Sequence, residues 1–192
     1  VMRAIVSEGL TQSMPLKLMY YGEMFRYDRP QRGRYRQFRQ FGFEHIGGKS
    51  PYNDATLISI VMNLLESLGV SGLSLCINSI GGQESRARYA SEIRKILEPK
   101  ISFLSHDSRI RLDKNPLRIL DSKDKCDQEL CASIPPITDY LSDQEREYFA
   151  NVCSCLDTIN INYSIDTSLV RGLDYYTDTT FEIKVDNLAV CG

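Results

Sequence analysis

The sequence predicts an α+β protein, in which a sheet is interrupted by a mostly helical insertion. Segments rich in aromatic and large apolar residues lie in the first quarter of the 192-residue chain, and segments with β-branched and aromatic residues lie in its last fifth. A more polar stretch with helical features separates them. We therefore expect three regions: residues 1–83 and 162–192 form the sheet domain, and residues 84–161 form a helical insertion domain.

The first region predicts a helix end followed by a hairpin. Val1–Leu10 is expected to end a helix. Leu16–Tyr27 and Tyr35–Ile46 have the apolar and aromatic content of strands, and the Pro and Gly of Arg29–Gly33 indicate the turn between them. These strands should pair antiparallel.

A helix should follow the hairpin, with Asn53 or Asp54 as its cap and Gly69 as its end. Its apolar positions recur at helical spacing: Leu57, Ile60, Val61, Leu64, Leu65 and Leu68.

The remaining elements follow from similar patterns. Leu73–Asn78 predicts a short strand and Gln83–Leu97 a helix, while Ser142–Glu145 resembles a helix start. Asn162–Asp166 and Thr179–Val185 predict strands again.

Composition excludes several classes of protein. With 42% hydrophobic and 25% charged residues, the chain is neither disordered nor fibrous. It has no apolar run of ~20 residues and no export signal, so a cytoplasmic protein without membrane contact is expected. The six cysteines should be free thiols, because a chain of this length without an export signal does not indicate a disulfide framework. Their spacing does not match a zinc site, and no structural metal is expected.

The net charge of -2 conceals two opposite patches. Residues 26–40 contain six arginines and one aspartate, a local charge of +5, whereas residues 121–150 carry -5. Arginine favours bidentate contact with phosphate or carboxylate. A solvated, charged hairpin tip explains the first patch equally well from charge alone.

Alternation along the second hairpin strand places five residues on one face: Arg36, Phe38, Gln40, Gly42 and Glu44. Arg26 on the partner strand could reach the same surface. A cation, an aromatic ring, an amide, a gap and a carboxylate in a row suit a polar ligand better than packing. The alternative is a solvated sheet face.

Two segments carry a resemblance to a known family. Phe25–Gln31, Gly33–Phe38 and Gln40–Glu44 together resemble motif 2 of the class II aminoacyl-tRNA synthetases, in its histidyl form. Leu169–Tyr176, with the sequence LVRGLDYY, resembles the histidine-specific motif of the histidyl-tRNA synthetases. The similarity extends to Asn115–Asp121 in the insertion, and it implies the antiparallel-sheet catalytic core of class II synthetases, here incomplete.

The resemblance implies a histidine–tRNA ligase that works in two steps. Histidine and ATP give histidyl-adenylate and pyrophosphate, and the histidyl group then passes to the 3'-end of tRNA(His). Arg26 and Arg171 are the implied catalytic residues, which would hold the α-phosphate and the histidine carboxylate from opposite sides.

The other implied ATP contacts also lie on the hairpin. Arg34 and Arg36 would approach the phosphates, Phe38 would stack under adenine, and Asp28 would face the adenine edge, where the family more often has Glu. Mg²⁺ would accompany the pyrophosphate.

The implied histidine site combines residues of both motifs. Neutral imidazole offers one N–H donor and one acceptor nitrogen, which Glu44 and the Tyr176 hydroxyl would match. Gln40 would bind the α-amino group, and Tyr175 would shape the pocket.

At the hairpin tip, Arg29, Gln31 and Arg32 would contact the acceptor end of the tRNA. The family further implies a homodimer.

By resemblance, the chain starts after motif 1 and stops before motif 3, so a catalytic-core fragment with negligible activity by itself is expected. Two alternatives stay open: a synthetase-like regulatory subunit of ATP phosphoribosyltransferase, and a synthetase-like domain that senses uncharged tRNA. Retention of Arg26, Gln40, Glu44, Arg171 and Tyr176 favours the ligase over both.

Overall fold

A computed structural model describes residues 1–30, 34–170, 175–186 and 188–192. It divides the chain into two compact units, Val1–Asn53 and Asp54–Gly192. The elements of both units form an α+β protein, which confirms the predicted fold class. The three-region division predicted from the sequence remains a prediction.

The first unit is built around a β-hairpin. Helix α1 (Met2–Ser7) and a 3₁₀ turn (Leu10–Ser13) precede strands β1 (Leu16–Phe25) and β2 (Gln37–Ile46). The strands pair antiparallel, with Leu16 opposite Ile46 and Phe25 opposite Gln37. The hairpin prediction is thus confirmed, although each strand is two residues shorter than predicted at the end next to the turn.

Helix α2 (Pro51–Ser67) begins earlier than predicted. Proline is favoured in a first helical turn because it has no N–H to leave unpaired. Asn53 therefore lies inside the first turn rather than at the cap, and its side-chain amide donates to the carbonyl of Gly48. Asp54 lies in the same turn. The predicted end at Gly69 is confirmed, because Gly69 adopts φ +79° directly after the last turn.

The second unit contains a four-stranded sheet in the order β4–β3–β5–β6. These strands are β3 (Leu73–Ser79), β4 (Ser164–Ile165), β5 (Thr179–Val185) and β6 (Leu188–Cys191). Strand β4 runs parallel to β3, and the other neighbours are antiparallel.

The helical stretch between β3 and β4 contains four α-helices: α3 (Gln83–Leu97), α4 (His106–Lys114), α5 (Lys125–Cys131) and α6 (Asp143–Thr158). Three 3₁₀ turns connect them (Glu98–Phe103, Pro116–Ile119 and Ile137–Tyr140). Their apolar faces share a core with both neighbouring segments of the chain: Ile80, Tyr89, Ile93, Leu97, Leu104, Leu112, Ile119, Ile137 and Val170.

Two carboxylates join these helices through hydrogen bonds. Asp127, fully buried on α5, accepts hydrogen bonds from the hydroxyls of Ser105 (2.7 Å), Ser108 (2.6 Å) and Ser122 (2.6 Å). Burial raises the pKa of Asp127, but these bonds and that from the Ser105 N–H outweigh it and lower the pKa to about 2. The carboxylate thus ties the α4 N-terminus to α5.

Glu145 caps two helices at once. It completes a capping box with Ser142 at the start of α6, as the sequence predicts. The same carboxylate also accepts hydrogen bonds from the Gly82 N–H and the Ser85 hydroxyl at the start of α3. Burial raises the pKa of Glu145, but these hydrogen bonds dominate and lower it to about 2.

Two strand predictions need correction. The strand predicted over Asn162–Asp166 is only two residues long, Ser164–Ile165, because it pairs with β3 only at Cys76 and Ile77. Strand β6 was not anticipated; it follows a turn in which Asp186 adopts φ +49°.

All six cysteines are free thiols. Among the described residues, no helix combines the length and the apolar character that crossing a bilayer would require.

Candidate functional site: the arginine hairpin and the tyrosine pair

The register of the hairpin places the predicted side chains on one surface. Phe38 lies opposite Met24, Gln40 opposite Gly22, Gly42 opposite Tyr20 and Glu44 opposite Leu18. Directly opposed residues of an antiparallel pair share a face. We call this surface the hairpin face, and it includes Arg26 and Arg36, whose backbones are joined by a 2.9 Å hydrogen bond just beyond the strands.

Arg26 is held in place by two contacts. Its guanidinium carbon lies 4.3 Å from the centroid of the Phe38 ring, and its Nε donates to the Tyr35 carbonyl at 2.8 Å. The terminal Nη groups have no hydrogen-bond partner within the described part of the chain. A cation fixed through one edge thus keeps its two-pronged end available for an anion.

The base of the hairpin tip is shaped by further arginine contacts. Arg36 donates from Nε to the carbonyl of Asp28 at 3.2 Å, and its guanidinium lies 5.5 Å from the Tyr27 ring. An open cleft of about 440 Å³ is lined by Asp28, Arg29, Pro30 and Arg34. Its size and positive charge suit phosphate groups.

Gln40 and Gly42 are linked by a residue that the sequence did not single out. The Tyr20 ring covers Gly42 so closely that a Cβ there would overlap with Cζ of Tyr20. The Tyr20 hydroxyl accepts a 3.1 Å hydrogen bond from Nε2 of Gln40. A tyrosine ring therefore occupies the gap predicted at Gly42, and the side-chain oxygen Oε1 of Gln40 remains an available acceptor.

Glu44 lies further along the same face and is half-buried. Its carboxylate has no hydrogen bond or ion pair to any described residue. A half-buried carboxylate without a protein partner is suited to accept from a ligand N–H.

The opposite face of the hairpin is different in character. Arg39 lies 3.9 Å from Glu23, which also accepts from Gln37 at 3.2 Å. Both charged side chains are more than half exposed, so this pair contributes little to stability. Arg39 and Glu23 provide controls for Arg26 and Glu44.

Tyr175 and Tyr176 belong to the second unit. Their rings pack edge to face with centroids 5.0 Å apart. Tyr175 is 74% exposed and Tyr176 is 37% exposed, so both rings are accessible. The other predicted site residues, Gln31, Arg32 and Arg171, lie outside the described residues.

The described residues include no group of three or more His, Cys, Asp or Glu side chains that could hold a metal ion.

Comparison with known proteins agrees with the motifs. The family model described as histidyl-tRNA synthetase matches residues 1–88. The histidine–tRNA ligase of Levilactobacillus brevis is 47% identical over 99% of this chain, and that of Staphylococcus epidermidis is 49% identical over 91%. The chain spans 45% and 41% of these two relatives.

Two solved structures also match this chain. Apo histidyl-tRNA synthetase from S. aureus matches with a TM-score of 0.74 and 39% identity, over 94% of this chain and 42% of that one. An ATP phosphoribosyltransferase regulatory subunit/histidyl-tRNA synthetase from Bacillus halodurans matches with a TM-score of 0.60 and 20% identity, over 97% of this chain and 52% of that one. The second match shows only a shared fold.

Proposed function

Because this chain belongs to the histidyl-tRNA synthetase family, we propose that it supplies part of the catalytic core of a histidine–tRNA ligase. The ligase would activate L-histidine with ATP and transfer the histidyl group to the 3'-end of tRNA(His). The observation that carries this proposal is the hairpin face, where Arg26 is fixed on Phe38 in line with Gln40 and Glu44.

Arg26 would stabilise the activation step. A carboxylate oxygen of histidine attacks the α-phosphorus of ATP, a new O–P bond forms, and the bond to the β-phosphate oxygen breaks to release pyrophosphate. Two anions must approach each other for this, and the free end of the Arg26 guanidinium can neutralise both. Arg171 would act from the other side.

The remaining hairpin groups would hold ATP. Arg34 and Arg36 would bind its phosphates, Asp28 would face the adenine edge, and Phe38 would stack on the base. Because Arg26 already covers one face of Phe38, adenine would use the other face or extend the stack. Mg²⁺ would arrive with the nucleotide and leave with pyrophosphate.

Histidine would be selected by paired polar groups. Glu44 would accept from one imidazole nitrogen, and the Tyr176 hydroxyl would donate to the other, with Tyr175 beside it. The side-chain oxygen Oε1 of Gln40 would accept from the α-ammonium group, since the side-chain nitrogen Nε2 already donates to the Tyr20 hydroxyl. An amino acid that lacks either imidazole nitrogen would leave a protein group unpaired, which disfavours its binding.

The partners of the whole protein follow from the same proposal. Arg29, Gln31 and Arg32 would contact the acceptor end of tRNA(His) mainly through phosphates. We further propose a cytoplasmic homodimer without a structural metal, and domain boundaries at residues 83 and 161.

A graft tests the proposed function. The chain replaces the matching segment of the L. brevis ligase, and histidine-dependent ATP–pyrophosphate exchange and tRNA charging are measured. We expect an active graft, with exchange lowered about 10²- to 10³-fold by Arg26→Ala and less than about twofold by Arg39→Ala. A correctly folded graft without exchange would refute the ligase function and favour the regulatory or tRNA-sensing alternative.

A further inference from the structure

Tyr20 and Gln40 form a diagonal pair across the hairpin. Tyr20 lies directly opposite Gly42. Gly22 lies directly opposite Gln40. Diagonal neighbours of an antiparallel pair can reach each other when their side chains are long or aromatic. The Tyr20 hydroxyl thus meets the Gln40 amide, where it accepts from Nε2 at 3.1 Å.

Two glycines make room for this pair. The Tyr20 ring lies over Gly42, where a Cβ would overlap with the ring. A Cβ at Gly22 would meet no atom within 4 Å, so the position directly opposite Gln40 is open. A tyrosine therefore holds the Gln40 amide at one diagonal position, and the position across the strand pair is left for another group.

The direction of this hydrogen bond decides which end of the Gln40 amide is available. Nε2 donates to the Tyr20 hydroxyl, and Oε1 has no hydrogen bond to any described residue. An ammonium group can only donate, so it needs Oε1 and is disfavoured beside Nε2. If Tyr20 donated to Oε1 instead, the amide would present its own donor to the cation. The observed arrangement is the one that suits an ammonium ligand.

Gln40 depends on Tyr20 for a fixed side chain. Gln40 is exposed, and the bond to Tyr20 is its one side-chain hydrogen bond within the described part of the chain. A free glutamine side chain samples several rotamers, and fixing it during binding costs affinity. The contact with half-buried Tyr20 fixes the amide before a ligand arrives, so this cost is not charged to the binding step.

We propose that Tyr20 is a positioning residue that orients Gln40 for the α-ammonium group of histidine. The Tyr20 hydroxyl holds Nε2 and so presents Oε1 to the ligand, while Tyr20 itself contacts no substrate. This role concerns the amino group alone, so it separates histidine from imidazole compounds that lack an α-amino group. It rests on the proposed ligase function, whereas the contact between Tyr20 and Gln40 does not.

The first test concerns the contact and uses the 192-residue chain. In the wild type, the Gln40 side-chain amide should give nuclear Overhauser effects to the Tyr20 ring. Its nitrogen should have a higher order parameter than that of Gln144, an exposed glutamine on α6. Tyr20→Phe should remove this difference, because the ring stays over Gly42 but the acceptor is lost. A wild-type Gln40 amide as mobile as that of Gln144, a result that needs no variant, would overturn the contact.

The second test uses the L. brevis graft and measures histidine-dependent ATP–pyrophosphate exchange. Tyr20→Phe should raise the KM for histidine about three- to tenfold and change the KM for ATP less than about twofold. Imidazolepropionate, which is histidine without its α-amino group, serves as a competitive inhibitor. Its inhibition constant should change less than about twofold in Tyr20→Phe, because it has no ammonium group for Gln40 to bind. General damage to the site would weaken the binding of both compounds.

The matched control is Tyr21→Phe, which removes the same hydroxyl from the opposite face of the hairpin, where Tyr21 is 65% exposed. It should leave both constants unchanged. In a Gln40→Ala background, Tyr20→Phe should have no further effect on the KM for histidine. An unchanged KM for histidine in Tyr20→Phe, or an equal loss of affinity for imidazolepropionate, would refute the positioning role. A folded but inactive wild-type graft would instead refute the ligase function, and the contact measured in the first test would stand.

Discussion

At the scale of single residues, Gly42 shows how a missing side chain shapes the hairpin face. The Tyr20 ring occupies the space above it and places its hydroxyl against Gln40. We expect Gly42→Ala to push the ring aside and break this hydrogen bond, at a cost of about 1 kcal/mol in the free energy of unfolding. Urea denaturation followed by circular dichroism would measure it.

Gly22 is the control for this prediction. It lies on the same face, but a Cβ there would meet no atom within 4 Å. Gly22→Ala should therefore be neutral or slightly stabilising. In a Tyr20→Ala background, Gly42→Ala should lose its cost; an equal cost in both backgrounds would contradict the proposed contact.

The sequence predicted this face correctly but not its contacts. Alternation placed Phe38 and Gln40 on one side, and pairing brought Arg26 to the same surface. The role of Tyr20 depends on which residue opposes Gly42, a register that only the paired strands define. The length of the turn determines this register, so a known turn length would have placed Tyr20 opposite Gly42.

At the scale of elements, the buried carboxylate of Asp127 makes the helical region sensitive to acid. Because its pKa falls from 3.8 to about 2 on folding, the carboxylate stabilises the folded state above about pH 5 and loses this effect as the pH falls through 4 towards 2. Asp127→Asn should cost about 2 kcal/mol near pH 7, and the difference from wild type should shrink below pH 4.

Thermal or urea unfolding at several pH values would measure this difference. Asp113→Asn is the control, since Asp113 is an exposed acidic residue at the end of α4. It should change stability by less than about 0.5 kcal/mol at any pH. A difference for Asp127→Asn that stayed constant from pH 7 to pH 2.5 would contradict the mechanism.

Element boundaries were predictable where a local signal decides them. Helix α3 and strand β5 have the predicted bounds, because Gly82 and Asp178 mark clear breaks. Strand β4 was overestimated, since its length depends on where β3 lies beside it. Non-local pairing of this kind leaves little trace in a single sequence.

At the scale of the whole molecule, the two units differ in how much apolar surface they bury. Of the hydrophobic residues that are almost completely buried, Ile5 is the only one among the described residues of 1–53; the others lie in 54–192. A two-stranded hairpin without a large core is marginally stable. We expect the amides of β1 and β2 to exchange at a lower free energy than those of β3 and β5.

Native-state hydrogen exchange in low concentrations of urea would measure these free energies. Equal opening free energies for all four strands would show that the chain unfolds as one cooperative unit and would contradict the expectation.

Because Glu145 caps both α3 and α6, it limits where this chain can be cut or rejoined. A cut at residue 83 separates the helical stretch from the strand before it, but the Glu145 carboxylate, which accepts from the Gly82 N–H, would be removed with that stretch. The truncated remainder would keep the turn at Gly81 and Gly82 with the Gly82 N–H unpaired, and Glu145 would lose this hydrogen bond. Circular permutation or domain exchange should therefore place its junctions outside residues 82–145.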